Sequence, residues 1–272
     1  MVNSTSIFFM ILSFILSVIL PITLIIFVKK KYKVSLKPFL VGVLAFFISA
    51  EILENLLHLY FLNVNPTTTA FFANSAIAYA IYGGLAAGIF EESARYISFK
   101  YFLKQNRNFL DGISYGLGHG SIESILIGGI AALGTISNSL AINSGKFTSI
   151  SEKAGIPTVK INLVIDQYVN TPVFQWITPG IERVLALAIQ IGLSIIVLYA
   201  IKERKKLYFF AAIAIHAIVD IPAALYQKGA ISNIYILYLI IFIEACLILT
   251  CAFKFLRPKF SKKDNNDLDK IS

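Results

Sequence analysis

The stretch Gly88-Ile89-Phe90-Glu91-Glu92-Ser93-Ala94-Arg95 decides how the chain is read, because two adjacent carboxylates and an arginine stand there inside an otherwise apolar run. Glu91 and Arg95 are four residues apart, which puts them on one face of a helix. Two later segments repeat the pattern. Asp111 to Glu123 carries His119 and Glu123, and His216-Ala217-Ile218-Val219-Asp220 carries His216 and Asp220, each pair again four apart among apolar neighbours. Ionisable groups in bilayer-spanning helices are expensive and face partners or a water-filled cavity. Three such pairs on three helices point to one shared site.

Composition sets the frame around that site. The chain has 272 residues, 57% of them hydrophobic, and a mean hydropathy of +0.75. Its apolar residues fall into runs of roughly 20, the length that crosses hydrocarbon. The runs are continuous rather than alternating, which selects helices over a β-barrel. The predicted fold class is therefore all-α, a polytopic membrane bundle of about seven transmembrane helices. A net charge of +9 does not indicate nucleic acid, since the basic residues sit at the ends of apolar runs, where they set topology. Cys246 and Cys251 share one apolar run and have the spacing of neither a disulfide nor a metal site.

Ile7 to Val28 forms a first span with no basic residue before it and Lys29, Lys30, Lys31 and Lys33 after it. A cleavable signal peptide would carry its charge ahead of the apolar stretch, so the span is expected uncleaved with the amino terminus outside. Pro38 to Leu62 returns the chain outward and contains Glu51, Glu54 and His58, and Asn63 to Thr69 follows as a short loop. Phe71 to Lys104 reads as one long third helix of roughly 50 Å. Phe109 to Ser137 is a glycine-rich fourth span, and Asn138 to Pro179 a polar outer segment. Gly180–Ile201, Leu207–Gln227 and Ile231–Phe253 complete the set. Residues 1–256 are expected as a single transmembrane domain, and 257–272 as a disordered cytoplasmic tail. Every dense lysine cluster then lies on one side.

Depth ties the polar groups together. Counting 1.5 Å per residue from Lys100, Phe109 and Leu207, Glu91 and Glu92 lie roughly 12–14 Å inside, His119 about 15 Å and His216 about 14 Å. Glu123 and Asp220 lie one turn further out, and Arg95 one turn nearer the cytoplasm. Glu244 matches the same depth, while Glu51, Glu54 and His58 read as a second shell or cavity wall. Glu182 and Arg183 read as a structural pair. So many carboxylates in low dielectric require protonation, solvation or a bound cation.

Glutamate and two histidines on separate helices can bind a divalent metal such as zinc, or activate water directly without one. Glu91, Glu92, His119 and His216 are the metal-ligand candidates. Both routes lead to hydrolysis of an amide. The sequence lacks the His-Glu-x-x-His pattern. Gly116, Gly118 and Gly120 read as close packing rather than a phosphate loop.

Glu91-Glu92-Ser93-Ala94-Arg95, the segment ending in His119 and Glu123, and His216 with Asp220 resemble the three motifs of the glutamic-type intramembrane proteases. That group includes the CAAX prenyl proteases, their bacteriocin-processing relatives and the PrsW-type enzymes. Among them the chain is most similar to the YhfC family of intramembrane peptidases. The resemblance implies that Glu91 or Glu92 activates water, that His119 and His216 hold a metal or stabilise the oxyanion, and that Arg95, Glu123 and Asp220 orient them. Arg95 follows Glu92 after two residues rather than three, and Tyr115 stands where phenylalanine is expected, which favours a bacterial branch over a prenylated substrate. The implied substrate is a membrane or membrane-proximal polypeptide, cleaved by a multi-pass protein of the cell membrane, with the lipid bilayer as a partner and no nucleic acid. Two rivals use the same residues: a proton- or cation-coupled transporter, and a non-catalytic immunity or binding protein on the same scaffold.

Overall fold

The computed structural model describes residues 1–260; of the expected tail, Arg257–Lys259 forms a 3-10 turn and Phe260 is buried, and the rest lies outside the described residues. Those described residues form helices and connecting turns, with no strand among them. Long apolar runs satisfy their own backbone only by coiling, and the helices follow the runs closely. They are α1 (Ser4–Tyr32), α2 (Leu36–Val64), α3 (Pro66–Asn74), α4 (Ala76–Phe102), α5 (Phe109–Asn143), α6 (Phe147–Lys153), α7 (Thr158–Asn170), α8 (Thr178–Lys202), α9 (Lys206–Gln227) and α10 (Ile234–Lys259). Six of the described helices are long and apolar enough to cross a membrane, or seven if α3 and α4 together make one span.

The expected third helix over Phe71–Lys104 is broken. α3 and α4 meet at a bend of 114°. Ser75 is extended at φ −133°, ψ 103°, and its Oγ accepts from the Ala78 amide at 3.2 Å, so it caps α4 instead of continuing α3. The expected loop over Asn63–Thr69 is absorbed too: Asn65 caps α3, and Pro66 occupies its first turn. The segment Asn138–Pro179 is itself largely helical, holding the end of α5, all of α6 and α7, and a 3-10 turn at Val173–Trp176.

The chain divides into two compact units, with boundaries inside α1, α5 and α8. One comprises Met1–Ile22 and Glu123–Val184. Its small core is built on Val2, Met10 and Tyr168, the last 5.1 Å from the Trp176 ring between centroids. Arg107 secures a turn in the other unit, which comprises Thr23–Ile122 and the chain from Leu185 onward. There its Nε donates to the Phe99 carbonyl and its Nη2 to that of Lys100, both at 2.9 Å. The core of this larger unit is α8, whose Leu193, Ile195, Val197 and Leu198 are wholly enclosed.

Two glycine-mediated approaches position the polar residues. A side chain at Gly84 would collide with the Ala217 carbonyl, and one at Gly88 would come within 2.6 Å of the Ile213 carbonyl, so α4 and α9 pack backbone to backbone. Gly118 on α5 meets the Phe39 carbonyl of α2 in the same way. Without a hydrophobic force between helices in lipid, such close contact supplies much of the cohesion.

Candidate active site

Close approach of α4 and α9 brings His216 onto Glu92. His216 Nδ1 lies 2.7 Å from Glu92 Oε1, and both side chains are buried. The Arg95 guanidinium donates to the same Glu92 oxygen, one turn along α4, and is itself fully enclosed. Arg95, Glu92 and His216 thus form a chain that holds one imidazole in place. With the Nδ1 proton donated to Glu92, the Nε2 lone pair of His216 is left facing Glu91 Oε2 at 3.9 Å and Asp220 Oδ2 at 3.7 Å.

The second imidazole comes from α5. His119 is fully buried, with its Nε2 2.7 Å from Glu91 Oε2. The Phe46 ring meets it edge-on at 5.1 Å and Tyr115 stacks at 6.3 Å, which sets the plane of the ring. Tyr115 is tethered in turn, its hydroxyl donating to Ser98 Oγ at 3.3 Å. One oxygen of Glu91 therefore lies between the imidazoles of two helices.

Gln190 was not among the residues expected at the site. From α8 it accepts from Arg95 Nη2 at 2.5 Å and donates through Nε2 to Glu91 Oε2 at 3.3 Å, tying the two glutamate arms together. The available signal was an amide in the otherwise apolar later part of the fifth span.

Other expected members have further partners. Glu123 follows His119 by one turn on the same helix face, and its Oε1 accepts from Arg183 Nη1 at 3.0 Å. Arg183 also donates to Glu182 Oε1 at 2.7 Å, so the expected pair is made and extended to a third residue. Asp220 is partly exposed, at 38% for its side chain. Glu54 and His58 form their own group, with His58 Nε2 3.1 Å from Glu54 Oε1 and Nδ1 3.0 Å from the Tyr82 hydroxyl. Glu244 does not join the site. It lines an apolar crevice of about 230 Å³ with Ile196, Ile215, Ile218 and Leu247, because matching depth along α10 says nothing about which way the side chain faces.

The donor chemistry fits a divalent metal. Two imidazole nitrogens on different helices, with a carboxylate oxygen within 4 Å of each, are the ligand types zinc accepts, and His216 has the carboxylate behind its other nitrogen that commonly orients a metal-binding imidazole.

A comparison with known families settles what kind of protein carries this arrangement. The family model described as YhfC intramembrane metalloprotease matches residues 16–241. The chain belongs to the YhfC intramembrane metalloprotease family. A relative within it is the uncharacterized membrane protein YhfC of Bacillus subtilis (strain 168), 40% identical over 247 residues that cover 91% of this chain and 95% of the relative. No solved structure gives a significant match. The YhfC match spans all three polar motifs, and the protein is a multi-pass membrane protein of that family.

Proposed function

We propose that this YhfC-family protein hydrolyses a peptide bond in a membrane or membrane-proximal polypeptide, with Glu91 as the group that takes the proton from water. The convergence of His119 Nε2 at 2.7 Å and His216 Nε2 at 3.9 Å on one Glu91 oxygen carries the proposal. Neither imidazole would be drawn to a buried carboxylate on a third helix for packing alone, since each buried polar group must regain what it loses on leaving water.

The two adjacent glutamates then have different duties. Glu91 is the base. Glu92, occupied by Arg95 and His216, is a positioning residue that fixes the tautomer and direction of His216. His119 and His216 are the nitrogen donors for a divalent ion, with Asp220 supplying a nearby oxygen. When bound, such an ion supplies Lewis-acid polarisation of the scissile carbonyl and lowers the pKa of water. Water gives its proton to Glu91 as its oxygen bonds to the carbonyl carbon. The carbon–nitrogen bond then breaks, and Glu91 returns the proton to the departing amine. Gln190 holds Glu91 from behind through its amide, and Arg95 compensates the buried charge of Glu92.

The test is purified protein in lipid nanodiscs, offered a library of membrane-spanning peptides, with bound metal counted in the same samples. Glu91→Ala should insert normally, retain metal and fail to cleave; His216→Ala should lose both metal and cleavage. Cleavage that survives in both variants ends the proposal. Peptide-independent, pH-driven ion flux through the wild-type protein, in the absence of any cleavage, would assign the same residues to transport instead.

A further inference from the structure

At the end of the larger unit where α4 and α8 finish and α9 begins, a cavity of about 230 Å³ is lined by Lys100, Arg107, Arg204 and Lys206, with Tyr96 on one wall. Among the described residues no acidic side chain lines it. Four cations therefore face one space from three separate parts of the chain. Basic residues at the ends of spans are expected for topology, and the chain has many of them. Topology accounts for their number, but it would be served equally well by side chains fanning apart into water.

Three details show how the convergence is built. Arg107 is fixed by its bonds to the Phe99 and Lys100 carbonyls, which use Nε and Nη2 and anchor the guanidinium at the cavity edge. Arg204 closes α8: its amide donates to the Ile201 carbonyl and the next amide, of Lys205, reaches back to the Ala200 carbonyl. This turn places Arg204 in the left-handed region at φ 56°, where glycine would be relaxed. An arginine there sets a long cationic side chain against the cavity at the expense of backbone comfort. Lys206 opens α9, a helix of 22 residues whose first turn has no side-chain cap, so the positive end of its dipole adds to the same field.

We infer that this cavity is a binding site for a phosphoryl group, supplied by the headgroup of an anionic phospholipid. Guanidinium and ammonium donors suit phosphate oxygens, and basic pockets between transmembrane helices take such headgroups. The apolar wall formed by Ala200 and Ile201, together with the Tyr96 ring, suits the glycerol and upper acyl carbons that a lipid brings and a free phosphate lacks. The inference stands apart from the catalytic reading, since none of these residues touches Glu91, His119 or His216 in the hydrogen bonds and ion pairs of the site.

The full-length protein, purified in a neutral detergent, should retain phosphatidylglycerol in native mass spectrometry. Its Tm should rise with added phosphatidylglycerol but not with phosphatidylcholine. The variant carrying Lys100→Gln, Arg204→Gln and Lys206→Gln should bind phosphatidylglycerol on the order of 100-fold more weakly, at about fivefold per charge removed. Arg107 is left intact because it also holds the backbone. A matched variant with Lys29→Gln, Lys30→Gln and Lys31→Gln removes the same charge from α1 and should bind as the wild type does. If inorganic phosphate raises Tm as strongly as the lipid, and only the cavity variant loses the effect, the phosphoryl site stands with a soluble ligand as its source. Equal losses in the two triple variants, or no lipid dependence in the wild type, overturn the inference.

Discussion

Two arginine–carboxylate centres lie in the two units of this protein, one half-buried and one fully buried, and they differ in how their carboxylates are shared. Arg183 engages Glu123 and Glu182, one carboxylate for each Nη, with side chains 11–27% exposed. Arg95 engages Glu92 and Gln190 in full burial, and the Glu92 oxygen it contacts also accepts from His216. The first centre balances charge. The second uses a balanced charge to aim a titratable ring, and leaves the neighbouring Glu91 to two imidazoles. Arginine in a membrane helix is therefore no marker of function by itself; the distinction lies in whether its carboxylate partner has a further task.

The sharpest way to break this comparison is Glu91→Gln, which keeps the shape and the amide contact with Gln190 but removes the base. Cleavage should fall on the order of 10²–10⁴-fold while thermal stability holds, read by peptide turnover and Tm on the same preparation. A fall of less than tenfold would return Glu91 to a structural part. Arg95→Met comes next. Removing one partner of a buried pair strands the other, so unfolding in detergent should become easier by about 3–5 kcal/mol. Glu92→Gln should be milder, weakening metal affinity about 10–100-fold in a competitive chelation titration, as expected when the group behind a ligand is altered. Arg183→Met should destabilise by only about 1 kcal/mol, the scale of polar contacts between helices in lipid, and leave metal affinity unchanged. Smallest of all, Glu244→Gln should change both stability and cleavage by less than about 0.5 kcal/mol equivalent. If Arg183→Met abolished metal binding, or Arg95→Met proved harmless, the contrast between the two centres would be lost.

Individual elements show how far the sequence could be read. α9 was expected over Leu207–Gln227 and occupies Lys206–Gln227, because a lysine cluster and a glycine bracket an apolar run of membrane length. α4 starts later than its apolar run suggests, since Asn74 and Ser75 look harmless in that run until Ser75 turns its hydroxyl onto the next helix. His119, His216, Glu91 and Glu92 were legible as a set from their spacing and common depth. Gln190 was not, because an uncharged amide raises no alarm in hydropathy and belongs to none of the three motifs. Glu244 shared the depth and misled for the complementary reason: rise along a helix axis gives height, and rotation about that axis gives the partner.

The sequence by itself determined that this chain is a helical membrane protein, and which ionisable residues it commits to the interior, because transfer to hydrocarbon is decided residue by residue along a run. Only the tertiary structure decided how two neighbouring glutamates divide their partners, one toward His119 and Gln190 and the other toward Arg95 and His216. Adjacent residues on a helix point about 100° apart. What each then meets depends on which helix lies in that direction, and that is settled by where glycines let two backbones touch.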